Sequence, residues 1–368
     1  MKAKALSTVS AIILLGVSCA YASSGTEGAD FLDIPVGAEP AALGSAYTAL
    51  ATDAYAPVWN PAGLAVADGN QLATQYNSYL ESMNYEFLSF VHPLAQNRDS
   101  STQRGIGVSA QYLGSGDITR TDIDANGNFV NPGGSFSSHY ASYNVAYGQT
   151  LTERLSMGVT GKLINAAIDN VSANAYAADI GTLYKLSSKI NLAGTLTNLG
   201  TQLKFIDEGD SLPMELHLGG VYRPTQNWRV SSEVVYPKTG LVAFHAGMEW
   251  SPLEMVSLRA GFKTDTLDGL SPIAGFTMGL GLHVWGQEFA YAWVPYGDLG
   301  DTQYFSLLIH FGERSEEKRN LIQYQQIKAH RTVNGKNDES EPELQQLMQL
   351  LSTDEDGHVA QSGTRPSN

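Results

Sequence analysis

Hydrophobic and polar positions alternate along most of this chain with a period of two. In LSMGVTGKLI, Leu155, Met157, Val159, Gly161 and Leu163 share one face, and Ser156, Gly158, Thr160 and Lys162 share the other. YAADIGTLYK sets Tyr176, Ala178, Ile180, Thr182 and Tyr184 against Ala177, Asp179, Gly181, Leu183 and Lys185. WRVSSEVVY and VSLRAGFK repeat the arrangement, with Arg229, Glu233, Arg259 and Lys263 on the polar side. Such alternation predicts β-strands with one oily and one wet face. The pattern places strands near residues 70–79, 84–93, 104–113, 136–147, 154–164, 175–186, 189–198, 215–223, 227–236, 241–250, 255–264, 275–284, 287–296 and 303–311.

A soluble β-sandwich alternates in the same way. Three details favour a membrane-spanning barrel instead. The polar faces are rich in Gly, Ser and Thr with isolated charges, as a lumen requires. The oily faces end in aromatics such as Trp228, Tyr236, Tyr184 and Trp250, as in an interfacial girdle. Strands of roughly ten residues match a tilted crossing of the hydrocarbon layer.

The connections support the barrel further, because short and long links alternate. GQTLTE, LSS, PTQN, SPLE and the turn at Trp285-Gly286 are short; Gly114 to Ser135, Asn165 to Asn174, Asn198 to Met214, Thr264 to Ala274 and Pro295 to Thr302 are long. The alternation holds after the second connection, PLAQNRDSSTQ being longer than the scheme asks, and from there only Pro237 to Gly240 is brief on the long side. Short turns on one rim and long loops on the other mark an outer-membrane barrel. In the last strand, YFSLLIHF, Phe305, Leu307, Ile309 and Phe311 share a face that ends in an aromatic, like a barrel assembly signal.

The start of the chain reads as an export signal. Lys2 and Lys4 precede an apolar run, and Ala20-Tyr21-Ala22 fits the small-x-small cleavage rule, which predicts cleavage after Ala22. An acylated Cys19 is the alternative. Cys19 is the sole cysteine, so cleavage at Ala22 leaves a chain without disulfides, held by hydrogen-bond ladders and packing. The mature chain carries 20 basic and 37 acidic residues, net −17, which excludes the basic face that a nucleic-acid partner needs. No later segment is long and apolar enough for a membrane helix, which leaves a spanning barrel open.

Catalytic signatures are missing. The histidines are single, with His217, His245, His283 and His310 in separate strands, and neither a phosphate loop nor a nucleophile elbow occurs. DIDANGN resembles the front of a calcium loop, but its twelfth position is Gly133 and not a glutamate, so a solvated hairpin tip is expected. The sequence therefore predicts no enzyme, no cofactor and no metal.

One segment does not alternate. Between Ala29 and Ala67 the chain reads ADFLDIPVGAEPAALGSAYTALATDAYAPVWNPAGLAVA. Asn60 can bond to local backbone, Pro61 fixes φ, and Ala62-Gly63 allow close approach to a wall; an isolated Asn-Pro-Ala-Gly is otherwise a simple loop stop. With Phe31-Leu32, Gly37, Gly44, Ala46, Ala49, Ala51, Asp53 and Trp59 through Ala65, this segment resembles the amino-terminal signature of the PorV/PorQ family, a branch of the FadL-like outer-membrane barrels. It departs at Glu39-Pro40, where an arginine-like and then a small residue are usual, and at Thr52, where a second acidic residue is common.

The resemblance implies a small helical hatch in the barrel mouth, with Ser45 to Asp53 as a short helix. Asp53, Trp59, Asn60, Pro61, Ala62, Gly63 and Leu64 would form its structural and gating motif.

The predicted protein is an all-β, transmembrane antiparallel barrel of about fourteen strands. Residues 1–22 are the signal, 23–68 the plug, 69–312 the barrel and 313–368 a periplasmic tail. Leu321, Tyr324 and Ile327, and then Leu344, Leu347, Met348 and Leu351, give the tail helical spacing. Such a tail docks a partner, covers the inner rim or stays a flexible appendage.

Two functions follow from the resemblance. The first is a component of a type IX-like export apparatus in the outer membrane, holding or shuttling exported proteins, with membrane lipids, secreted cargo and export machinery as partners. The second is a FadL-like transporter with a hydrophobic ligand, which needs a continuous apolar pocket beneath the hatch. The mixed, polar inward set of Lys162, Asp179, Arg229, Glu233, Arg259 and Lys263 favours the first.

Overall fold

A computed structural model of the chain describes residues 27–79, 83–94, 102–130, 133–267 and 271–311. The expected signal segment and the helical spacings of the tail lie outside the described residues. Fourteen strands form the barrel. The first seven are β1 (Asn70–Ser78), β2 (Asn84–Leu94), β3 (Arg104–Gly114), β4 (Ser138–Thr150), β5 (Leu155–Ile168), β6 (Val171–Lys185) and β7 (Ile190–Gly200). The others are β8 (Glu215–Thr225), β9 (Trp228–Pro237), β10 (Ala243–Leu253), β11 (Val256–Lys263), β12 (Phe276–Val284), β13 (Gln287–Pro295) and β14 (Asp301–Phe311). Each pairs antiparallel with its sequence neighbour, and β14 returns to β1, with Asn70 opposite Phe311 and Ser78 opposite Gln303. Closure leaves no strand edge to be satisfied in lipid.

The two faces separate as the alternation predicts. Large apolar side chains such as Leu88, Val108, Val145, Val159, Met248, Leu258 and Phe305 stay exposed on the outer surface. An apolar band running round the whole barrel far exceeds the patch a water-soluble protein tolerates, so it meets hydrocarbon. Aromatics border the band at both ends. Trp228 and Trp250 stack at 5.7 Å with Tyr184 on the short-turn rim, and Tyr76, Tyr112 and Tyr236 lie toward the other. In β14 Phe305, Leu307, Ile309 and Phe311 point outward while Thr302, Tyr304, Ser306 and Leu308 are buried inside.

The rims differ as the link lengths predict, with one correction. Asn165 to Asn174 is not a long loop: β5 and β6 run on to a tight turn at Asp169-Asn170, with Asp169 at φ 53°. Asn165 and Asn174 hydrogen-bond across this extension at 2.9 Å. The link from β3 to β4 also carries structure, as two short ladders that pair Ile118–Thr119 with Ser135–Phe136 and Asp122–Ile123 with Phe129–Val130. At its tip the Asp124 carboxylate accepts the Asn126 and Asn128 amides, both at 2.9 Å, which makes it the expected hairpin tip.

The core of the molecule lies in the lumen, around residues that precede β1. Glu27 bridges to Ser211 in the β7–β8 loop, so the described chain enters at the long-loop rim and crosses the interior before β1 begins at the short-turn rim. Two short helices, α1 (Ala38–Ala42) and α2 (Ala56–Trp59), and 3₁₀ turns at Asp30–Asp33 and Pro61–Val66 form this plug. Tyr47, Tyr55, Leu43 and Leu64 are almost fully buried in it.

The expected helix over Ser45–Asp53 is absent. Gly44 and Ser45 hold positive φ of 62° and 64°, and the stretch is a series of turns. Gly44 and Thr48 give their amides to the barrel wall, to Thr277 Oγ1 at 3.1 Å and Glu233 Oε2 at 2.9 Å, and only an isolated turn forms between them and Asp53, with the Leu50 and Ala51 amides on Tyr47 O at 2.8 and 3.0 Å.

Candidate functional site

The plug's geometry follows from its prolines and small residues. Pro57 lies in the first turn of α2 and Pro61 opens the following 3₁₀ turn, positions where the missing N–H costs nothing. Asn60 precedes Pro61 and is driven to extended backbone, φ −164° and ψ 101°, which ends α2 there. Its side chain then ties three parts together. Oδ1 accepts the Ala62 amide at 3.1 Å, and Nδ2 donates to Thr48 O at 3.0 Å and to Thr182 O of β6 at 3.1 Å. Asn60 is wholly buried, so each of these bonds replaces water that cannot reach it.

The remaining motif residues converge on the same point. Trp59 Nε1 donates to Val36 O at 2.8 Å, and its ring meets Tyr47 edge-on. The Tyr47 hydroxyl and the Tyr55 amide both donate to Asp53. Gly63 permits contact within the plug, since a Cβ there would lie 1.6 Å from Ala51 O. Pro61, Ala62 and Leu64 face outward to the wall, so the residues the motif named do form one unit.

The inner wall is shaped to receive them. A Cβ on Gly158 of β5 would fall 2.3–2.5 Å from the Pro61-Ala62 backbone, and one on Gly181 of β6 would fall 2.1 Å from Asn60 Oδ1. Across the lumen, Gly261 of β11 and Gly247 of β10 meet Leu43 and Gly44 in the same way. The plug thus touches both walls through backbone. Gly158→Ala is expected to lift it off β5 at a cost of about 1–3 kcal/mol. A lowered thermal midpoint together with current flicker across planar bilayers checks this.

Burial in the plug pushes the Asp53 carboxyl up to about 6, opposed by the bonds from Tyr47 and the Tyr55 amide. The folded value lies above the unfolded one, so this group's stabilisation is full under acid conditions and is lost as pH rises through about 6. Asp53→Asn is expected to flatten the pH dependence of the thermal midpoint between about pH 4 and 7.

At the short-turn end the plug is latched by charge. Glu39 of α1 is buried and reaches Arg229 Nη2 at 2.9 Å and Arg259 Nη2 at 3.3 Å. Arg259 also bonds Glu249 at 2.7 Å and Glu288 at 2.6 Å, and His283 meets Glu288 at 3.2 Å. Three carboxylates thus surround two guanidiniums, and burial raises the Glu39 carboxyl despite both arginines. Sequence reading had placed Arg229 and Arg259 inward but had no partner for them; Glu39, set apart only as a departure from the family pattern, is that partner.

Above the plug, toward the long loops, lies a cavity of about 660 Å³. Leu32, Asp33, Ile34, Val58 and Trp59 of the plug line it together with Glu215, His217, His245 and Asp265 of the wall and its loops. Lys162 at its edge pairs with Asp179 at 2.8 Å, and His217 sits between Glu215 at 3.0 Å and Glu233 at 2.8 Å. The cavity is a cup with the plug as its floor. Sequence reading missed Asp33, Glu215 and Asp265 as lining residues, because they sit in loops or at strand ends where alternation carries no signal.

A family model described as type IX secretion system protein PorV matches residues 22–225. No curated protein matches the sequence. Among solved structures the chain is similar to the Ralstonia pickettii toluene transporter TbuX, with 14% identity, 75% of this chain and 98% of that one covered, and a TM-score of 0.51. It is likewise similar to the P. putida toluene transporter TodX, with 13% identity, 76% and 99% coverage, and a TM-score of 0.50. At these identities the likeness is one of fold.

Proposed function

Since this chain belongs to the PorV family of type IX secretion system proteins, we propose that its barrel serves protein export in the outer membrane by holding or handing on exported proteins. It does so without catalysis. Short turns and the tail face the periplasm, and long loops and the cup face outward.

The observation that carries this reading is the closed floor. The plug meets both walls through backbone, and the Glu39 latch packs the short-turn end, which suits a receptacle better than a conduit. The polar groups between plug and wall also interrupt the continuous apolar path that a lipid conduit needs.

A second reading rests on the likeness to TbuX and TodX and on the apolar side chains Leu32, Ile34, Val58 and Trp59 that the plug brings to the cup. In it the barrel admits a small hydrophobic molecule. Deleting the gene separates the two. Accumulation of normally exported proteins in the periplasm is expected, with uptake of aromatic or aliphatic compounds unchanged. Normal export with lost uptake supports the transporter instead.

A further inference from the structure

At the level of the latch the inner wall carries a row of charges that runs across neighbouring strands. Arg229 of β9 stands opposite Glu249 of β10, and Glu249 stands opposite Arg259 of β11, so the signs alternate there. On the other side of Arg229 the alternation breaks. Tyr222 of β8 pairs with Val230 just before the ladder shifts, which brings Arg223 next to Arg229 and within its electrostatic reach. The Arg223 amide in turn donates to Lys189 O at 2.8 Å. Three cations therefore follow one another with no acid between them.

Like charges on neighbouring strands are destabilising unless an anion lies between them. Arg229 already shares Glu39 and Glu249, and its side chain is 30% exposed. Neither Arg223 nor Lys189 makes an ion pair with a described acid, and the Lys189 ammonium donates instead to Pro224 O at 2.9 Å. Arg223 is half-buried, where an uncompensated guanidinium is costlier than on an open surface. Arg154 and Lys185 add two exposed cations close by, joined through the Lys185 amide on Arg154 O at 2.7 Å. The turns at 151–154, 186–189 and 224–227 hold one acid, Glu153, although acids outnumber bases in the chain by 37 to 22.

We propose that the short-turn mouth of the barrel binds an acidic segment of a periplasmic partner protein, with one carboxylate held between Arg223 and Arg229 and the next against Lys189. Carboxylate is the chemistry the row already selects, since Glu39 and Glu249 complement Arg229, and Glu249 and Glu288 complement Arg259. Neighbouring guanidiniums also offer a carboxylate forked hydrogen bonds. Arg223 and Lys185 each follow an outward-facing tyrosine, Tyr222 and Tyr184, and so take the lumen side of their strands. That aims them at the mouth and away from lipid phosphates. The site rests on the export reading, which puts this rim in the periplasm, and names the chemistry of what docks there.

The test uses the full chain in detergent and two fluorescein-labelled, end-blocked peptides, Ser-Glu-Glu-Ser-Glu-Ser and its counterpart Ser-Gln-Gln-Ser-Gln-Ser. Anisotropy is expected to register the acidic peptide alone, with affinity falling at least about tenfold in the Lys189→Gln, Arg223→Gln double variant and falling also as salt is raised. Lys204→Gln with Lys238→Gln removes the same charge from exposed positions at the long-loop rim and is expected to leave binding unchanged. Heat-modifiable mobility confirms that both variants fold. Binding of both peptides alike, binding of neither, or equal losses in the two double variants overturns the proposal. So does displacement by glycerol 3-phosphate as readily as by the unlabelled acidic peptide, because the site then reads a lipid headgroup. An export assay separates this failure from that of the parent reading. If cells with the Lys189→Gln, Arg223→Gln variant export normally while deletion cells do not, only the docking assignment falls; if deletion cells also export normally, the family-based reading falls with it.

Discussion

Replacing Arg259 with methionine is expected to destabilise the plugged barrel by about 3–5 kcal/mol, the usual cost of removing one partner from a buried charge network. Arg259 lies at the centre of the latch, with its side chain 1% exposed and three carboxylates within 3.3 Å. Methionine fills much of the volume but leaves Glu39, Glu249 and Glu288 facing one another with Arg229 alone between them. Coupling identifies the cause. Adding Glu39→Gln to Arg259→Met removes one stranded carboxylate and is expected to recover part of the loss, so that the two changes are not additive. Additive losses in a double-mutant cycle of thermal midpoints refute the latch.

A second large effect is expected on the outer surface. Val159 of β5 is 52% exposed and stands opposite Tyr147 and Ile180, midway between the Tyr184 and Tyr176 ends of the neighbouring strand. That level is the middle of the apolar band. Val159→Arg is expected to cost roughly 2–4 kcal/mol, as for a lipid-facing arginine at the bilayer midplane. The inward neighbour Thr160, whose hydroxyl donates to Pro57 O at 2.9 Å, offers the contrast. Thr160→Val removes one plug bond and costs about 1 kcal/mol. Refolding into vesicles across a urea series measures both. Tolerance of Val159→Arg places that face in water.

The barrel was legible in the sequence because hydrocarbon outside and polar lumen inside impose opposite demands on successive residues. Wherever both hold, as from Trp228 to Tyr236, every side chain falls on its predicted face. The signal fades where one demand lapses. Beyond the membrane the outer face of β5 and β6 need not be apolar, so Asn165, Asp169 and Asn174 read as a loop although the strands continue.

The plug was legible in part. The Asn-Pro-Ala-Gly motif carries its own local physics in Asn60 and Pro61, and both behave as their chemistry dictates. The helix that the resemblance implied over Ser45 to Asp53 does not form because Gly44 and Ser45 turn the chain at positive φ and Thr48 gives its amide to the wall, which leaves the single turn closed by Leu50 and Ala51 on Tyr47 O. The wall supplies partners in Thr277 and Glu233, more than two hundred and about one hundred and eighty residues away in the chain. The Glu39 latch and the cup were hidden for the same reason, since their members come from separate strands and loops that only barrel closure brings together.

The seated plug is tested most directly by single-channel recording of the wild-type protein in planar bilayers. The wall-to-wall contacts at Gly158, Gly181, Gly247 and Gly261 and the charged latch at Glu39 predict a closed barrel without steady conductance. A stable, ohmic pore carried by the wild-type chain would contradict it.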